Sequence, residues 1–224
     1  MILLAASEKV DLFKLHRKEY ASPKKPILVN VKTAAYLAID GRGAPGDAEF
    51  QEKIGALYGM AFTVKMTRKF SGLKDYVICK LETIYSGPAG DDAAPDGDDA
   101  GPDGSENLGA LPREEWRWKF LIRTPDFVKQ KEIEKAAAVL IEKGKGAACG
   151  AVNLERIGEG RCVQMLHVGP YEREPETVAL MESFAATQGL AFHGKHHEIY
   201  LSDPRRVPPE RLKTILRHPV QPAI

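Results

Sequence analysis

Residues Met165–Phe192 read MLHVGPYEREPETVALMESFAATQGLAF, and residues Ala38–Phe62 read AIDGRGAPGDAEFQEKIGALYGMAF. Each passes from the end of a strand through a turn with Gly, Pro and acids into a helix, then a glycine and an apolar-Ala-Phe run. After each copy comes a strand that carries a glutamate closely followed by a tyrosine, Glu82 with Tyr85 and Glu198 with Tyr200. A duplicated α+β unit explains this better than two unrelated domains, and such units pair about a pseudo-twofold axis with a cleft between them.

The strand of the second copy lies in His193–Pro204, HGKHHEIYLSDP. Strand side chains alternate, so His196, Glu198 and Tyr200 share one face while His197, Ile199 and Leu201 share the other. With Ile199 and Leu201 toward a core, Glu198 faces either water or a ligand cleft.

Elsewhere the pattern is clear in outline. Ile27–Ile39 reads as a strand, with Val29, Val31, Ala35, Leu37 and Ile39 as its apolar set. Asp47 is an N-cap for a helix whose stripe is Phe50, Ile54, Leu57, Ala61 and Val64. Asp75–Gly87 reads as a second strand, and EWRWKFLIR as one that alternates Trp116, Trp118, Phe120 and Ile122 with charged residues. Thr124 and Pro125 are the N-cap and first residue of a helix to about Gly144, with Val128, Ile133, Ala137, Leu140 and Ile141 inward. AVNLERI and GRCVQMLHV read as a hairpin about the Gly158–Gly160 turn, Pro175 opens a further helix, and DPRRVPPERLKTILRHPV reads as a turn and a short basic terminal helix.

Between Pro88 and Asn107 stand seven acids and no base, with neither aromatic nor branched residues. Such a segment cannot offset the entropy of ordering and is expected to be a flexible, solvated loop. The organisation expected is therefore an N-terminal extension over 1–26, a first module over 27–87, the acidic loop over 88–107 and a second module over 108–224.

Composition excludes several classes. The net charge is +1, which rises to about +8 without the acidic segment, but the bases are scattered rather than clustered, so nucleic acid is disfavoured. No apolar run approaches the roughly 20 residues of a membrane span, and MILLAAS lacks the features of a signal peptide, so the expected location is the cytoplasm. Cys79, Cys149 and Cys162 have no C-x-x-C spacing and read as core or strand thiols. His193, His196 and His197 form no ligand pattern, so no metal is expected, and no P-loop, nucleophile elbow or dinucleotide fingerprint occurs.

CVQMLHVGPYEREPETVALMESF, GKHHEIYLSDPRR and ERLKTILRHPV resemble the GyrI-like small-molecule-binding family, which also supplies the effector-binding domains of multidrug-sensing regulators. YLAIDGRGAP, ALYGMAFTVK, DYVICKLETIY and WRWKFLIRTPDFV resemble its stand-alone members more loosely. The resemblance covers roughly Lys25 to Val220 apart from the acidic segment. It implies tandem βαββ modules of the SHS2 type, with antiparallel sheets lining a central cleft and helices on the outer face. It implies a flat, hydrophobic or cationic small-molecule ligand, no cofactor, and a monomer or dimer.

Some stand-alone members that this chain resembles hydrolyse cyclopropanoid DNA-alkylating compounds. The alternative is a non-catalytic protein that sequesters drugs or partners a protein such as gyrase. The family's pocket glutamate corresponds to Glu198 and its pocket tyrosine to Tyr171, which makes these the candidate catalytic residues. Trp116 or Trp118 and Tyr36 correspond to pocket aromatics. Tyr85, Glu82, Tyr200 and His167 complete the candidate ligand-binding set. Where stand-alone members carry Leu-Glu-Gly-Leu-Trp-Trp, this chain has LETIYS, which puts Tyr85 and Ser86 in place of two tryptophans. Only about 26 residues precede the first strand, too few for a helix-turn-helix domain, so a stand-alone ligand protein is expected.

A carboxylate in an apolar aromatic cleft is disfavoured as an anion. Its pKa rises, and it serves near neutrality as a proton donor or as a base that activates water.

Overall fold

The computed structural model describes residues 9–87 and 111–223; the acidic segment lies outside them. Four α-helices and nine strands follow in the order α1 (Leu12–Leu15), β1 (Ile27–Val31), β2 (Ala34–Arg42), α2 (Ala48–Phe70), β3 (Leu81–Ser86), β4 (Arg117–Arg123), α3 (Gln130–Glu142), β5 (Asn153–Ile157), β6 (Gly160–Val168), α4 (Glu174–Thr187), β7 (Leu190–Phe192), β8 (His196–Tyr200) and β9 (Lys213–Pro222). The fold is α+β, built on one antiparallel sheet.

The strand order is β1-β6-β9-β8-β3-β4-β2-β5, and β7 pairs with β9 at the side. The run β2-α2-β3-β4 places β4 between β2 and β3, and the run β6-α4-β8-β9 likewise places β9 between β6 and β8. The two runs meet where β3 pairs with β8, Thr83 opposite Glu198. Ala38, Leu121 and Glu82 make one row across the first run, as Met165, Leu216 and Glu198 do across the second.

Several sequence expectations change. Ile27–Ile39 is two strands, because the chain steps from one margin of the sheet to the other between Val31 and Ala34: β1 pairs with β6, whereas β2 pairs with β4 and β5. β5 and β6 form no hairpin for the same reason, and the chain crosses the margins again between Ile157 and Gly160. Three residues span at most about 11 Å. The two margins of the sheet therefore converge, and one face becomes the lining of a nearly closed wall.

The second strand begins only at Leu81, and Tyr76 instead makes an isolated bridge with Val10. The third helix begins at Gln130, not at Thr124, because buried Val128 and the Arg68 cation over the Phe127 ring hold residues 125–128 as a turn. Lys129 and Glu132 then close the helix start, and Ile141 is exposed. The expected terminal helix is β9, inserted between β6 and β8 with Thr214 to Val220 buried on both faces.

Both long helices lie on one face. α2 buries Phe50, Leu57, Met60, Ala61 and Val64 against Leu37, Ile39, Phe120 and Ile122, with Asp47 as its N-cap as expected. α4 buries Met181 and Ala185 against Val163, Met165 and Leu216. The helical face of the sheet is thus covered on either side of the β3–β8 junction. The three cysteines are free and buried.

Candidate functional site

On β8 the alternation puts His196, Glu198 and Tyr200 on the helical face, and His197 and Ile199 behind it. Glu198 is 8% exposed and lies between Thr83 of β3 and Leu216 of β9. The first residue of α4 brings a second carboxyl, Glu174, 7% exposed, to the same spot. His196 Nε2 stands 3.4 Å from Glu198 Oε1.

Tyrosines close this cluster. The Tyr85 and Tyr200 hydroxyls are 3.0 Å apart, Tyr171 meets Tyr200 edge to face at 6.1 Å, and Trp116 meets Tyr85 edge to face at 5.7 Å. Tyr171, Tyr200, Trp116 and His196 are half-buried and form the partly exposed rim of the cluster around Glu198. Two surface grooves lie elsewhere, one of about 430 Å³ beside Leu28 and Arg161 and one of about 450 Å³ beside Gly59 and Leu140.

Burial, reinforced by the charge of Glu198 and a hydrogen bond to it, pushes the Glu174 carboxyl up to about 10. A helix N-terminus favours the anion by about 1 kcal/mol, less than one pKa unit, so burial prevails. Glu174 therefore holds a proton against Glu198 at neutral pH. Burial, then the Glu198 charge, raises Tyr171 to about 12 and lifts Tyr85 and Tyr200 well above the ordinary tyrosine range, so all three are hydroxyl donors.

Glu174, His196 and Glu198 offer one donor atom each within 4.8 Å of one another. Glu174 must give up its proton before the set holds a divalent cation.

The other sequence candidates lie apart from this cluster. Trp118 is 2% exposed, wedged against Phe50, Phe120 and Gly41 under α2, and its Nε1 donates to Gly43 O at 3.2 Å. His167 lies beneath the Gly169–Tyr171 turn, with Nε2 3.1 Å from Pro170 O and Nδ1 2.8 Å from Thr177 Oγ1. Its contacts support the turn that carries Tyr171.

Tyr36 and Glu82 are on the opposite face, inside the nearly closed wall. Glu82 is fully buried, accepts from Tyr20 Oη at 2.8 Å and lies 3.1 Å from His197 Nε2. Glu159 accepts from His197 Nδ1 at 2.9 Å and Arg217 Nη1 at 2.7 Å, and Arg217 also donates to Gln164 Oε1 and Glu19 O. Burial opposes the charge on Glu159, but His197 and Arg217 overcome it and hold its pKa near about 2. This network ties the N-terminal arm to the sheet.

Sequence reading did not single out Glu174. An acid in the first turn before Pro175 reads as an ordinary partner of the helix dipole, and only the docking of α4 brings it to Glu198. In the sequence His196 stands out as one of three neighbouring histidines, while strand parity puts it on one face with the glutamate two residues on.

A family model for the GyrI-like small molecule binding domain matches residues 122–221. Among solved structures, an uncharacterized conserved protein from Listeria innocua is similar with a TM-score of 0.81 at 38% identity, covering 95% of this chain and 100% of that one. A hydrolase from Listeria innocua is similar with a TM-score of 0.79 at 37% identity, again over 95% and 100%. The EcmrR C-terminal domain shares the fold with a TM-score of 0.54 at 12% identity, over 89% and 98%. No curated protein matches the sequence at a significant level. With the matched segment spanning α3, α4 and the strands that carry Glu198, and two full-length relatives above one-third identity, the chain belongs to the GyrI-like small-molecule-binding family.

Proposed function

We propose that this protein binds flat hydrophobic or cationic small molecules at the Glu198 cluster and hydrolyses cyclopropanoid DNA-alkylating compounds, a detoxification carried out in the cytoplasm. The observation that carries the reading is the pair Glu198 and Glu174, buried together under a cover of tyrosines, where burial and the neighbouring charge favour a proton on the pair. A lone carboxylate suffices to hold a cation. A carboxyl pair with a resident proton is the equipment of proton transfer. The likeness to a hydrolase from Listeria innocua supports the same reading.

Ring strain supplies driving force, so the protein has to place water and accommodate charge. Glu198 orients a water and accepts its proton as the oxygen bonds to the ring carbon. The ring C–C bond breaks, and its electron pair passes through the conjugated system to the carbonyl oxygen. Tyr171 or Tyr200 donates a hydrogen bond to the phenolate that forms. Trp116 and Tyr85 supply aromatic surface for a flat ligand and, for a cationic one, attraction to ring faces.

We also take the two β-α-β-β runs as duplicated modules. The first is then completed by β4, beyond the acidic segment, and the site lies at their junction.

The test is incubation of the purified protein with a cyclopropyl-bearing DNA alkylator, with ring-opened product followed by mass spectrometry and binding by tryptophan fluorescence. Glu198→Gln abolishes turnover and leaves binding within about three-fold. Quenching without product in the unsubstituted protein supports the sequestering alternative, and turnover unchanged in the variant refutes the role of Glu198.

A further inference from the structure

The carboxyl pair is sealed. Glu174 and Glu198 are each more than nine-tenths buried, and one Glu174 oxygen has no hydrogen-bond partner. A base that has taken a proton from water must return it to solvent before it acts again. The tyrosine hydroxyls around the pair hold their protons far above neutral pH and are poor carriers. One neighbouring side chain can accept a proton on one ring nitrogen and release one from the other, and it reaches both the pair and the surface: His196, half-buried, with Nε2 3.4 Å from Glu198 Oε1.

The surroundings of His196 fit that task. His218 of β9 lies 5.9 Å away, ring to ring, stacked on Phe192 at 4.1 Å. Burial, and then the charge of His196, press His218 down to about 3, so it stays neutral and does not compete for the proton. Tyr85 of β3 is the cross-strand partner of His196, and Glu174 approaches from α4. His196 thus has one carboxyl pair on its inner side and solvent on its outer side.

We propose that His196 is a positioning and proton-transfer residue that acts through Glu198, carrying protons between the buried carboxyl pair and bulk water. This rests on the hydrolytic reading of the site. Water gives its proton to the pair as the C–O bond forms and the ring C–C bond breaks. The pair then passes one proton to the lone pair of His196 Nε2, and the proton on Nδ1 leaves to solvent. The phenolate oxygen of the product takes its proton from water, and exchange of the His196 ring protons with water restores the Nδ1–H tautomer, so the cycle closes with no net change in the protein.

The experiment uses the full chain, the same cyclopropyl-bearing alkylator and the variants His196→Gln, His196→Asn and Glu198→Gln, each checked for an unchanged circular dichroism spectrum. His196→Gln lowers kcat at least about ten-fold with KM little altered, and imidazole added to the buffer restores kcat in a saturable manner. Glu198→Gln is not rescued by imidazole. A kcat unchanged in both His196 variants, or a loss that imidazole does not restore, overturns the relay and reduces His196 to packing.

A second readout needs no turnover. The imidazole nitrogen signals of His196, assigned by their absence from His196→Gln, shift in Glu198→Gln if the two groups exchange a proton; unmoved signals overturn the inference even where the alkylator is not a substrate. Shifted signals without turnover in the unsubstituted protein instead keep the coupling and sink the hydrolase reading alone.

Discussion

His197 and Glu174 make stability fall as pH rises from 6.5 to 8.5, opposed near the lower end by buried His218, which has lost a proton that the unfolded chain still partly holds. Burial alone would discharge His197, but the Glu159 charge 2.9 Å away, the hydrogen bond to it and the Glu82 carboxylate 3.1 Å from Nε2 raise its pKa to about 9. Its unfolded value is about 6.5. Because the folded value is the higher one, this contribution is fully present below about pH 6.5 and is lost as pH rises through about 9. Glu174, raised to about 10, also holds a proton that the unfolded chain has released, and it acts with the same sign. Each proton of difference is worth about 1.4 kcal/mol per pH unit, so His197 by itself accounts for about 2 kcal/mol between pH 6.5 and 8.5. Urea unfolding followed by circular dichroism at pH 6.5, 7.5 and 8.5 measures the slope. His197→Gln lowers stability at every pH, because it removes the cation beside Glu82 and one of the two beside Glu159, but its slope is shallower by one proton. Glu174→Gln flattens the slope by the other. Parallel curves for the unsubstituted protein and His197→Gln would falsify the charged state assigned to the interior network. The window stops at 8.5 because burial raises the Cys79 and Cys162 thiols to about 12, and these add their own loss of stability once unfolded thiols ionise.

Two further substitutions test the packing that positions the site. A Cβ added at Gly41 meets Trp118 ring atoms at 2.0 to 2.7 Å, and that ring is boxed in by Phe50 and Phe120. Gly41→Ala is expected to cost about 3 kcal/mol and to lower Tm by about 6 to 12 °C; a shift under about 2 °C in a thermal scan would show that the Trp118 layer is loose. Asp47 accepts from Phe50 N at 2.8 Å at the start of α2. Asp47→Ala should cost about 1 kcal/mol in urea unfolding while Asp47→Ser costs much less, and an equal loss for the two would mean that the carboxylate charge, not the cap, is what matters.

The two β-α-β-β runs match in row but differ in face. Glu82 and Glu198 occupy matching rows of the two runs, and the sequence repeat treats them as equivalents. The row is the same but the face is not. Glu198 and Tyr200 are two residues apart and share a face, whereas Glu82 and Tyr85 are three apart and do not. Tyr85 therefore reaches the cluster and Glu82 turns to the interior, a separation that strand parity alone contains.

β9 shows the opposite case. LKTILRHPV is buried on both faces, so it lacks the alternation that marks a half-buried strand, and nothing local distinguishes it from a helix. Its partners, β6 and β8, begin 53 and 17 residues earlier in the chain at Gly160 and His196. The split of Ile27–Ile39 into β1 and β2, and the separation of β5 from β6, have the same origin. A continuous apolar run fixes which side chains avoid water but not which strand they lie beside.

By itself the sequence determined what local chemistry can determine: the α+β class, the strand–turn–helix runs, the cap at Asp47, the faces of β8 and the family. Tertiary structure decided what depends on residues remote in the chain. The convergence of the sheet margins made an interior for Glu82, His197, Glu159 and Arg217, and the docking of α4 on β6 and β9 brought Glu174 to Glu198. Backbone preferences and periodicity act over a few residues and leave their mark in the sequence around them. The state of a carboxyl depends on what a distant segment places within a few ångströms of it, and that is set only when the sheet closes and the helix docks.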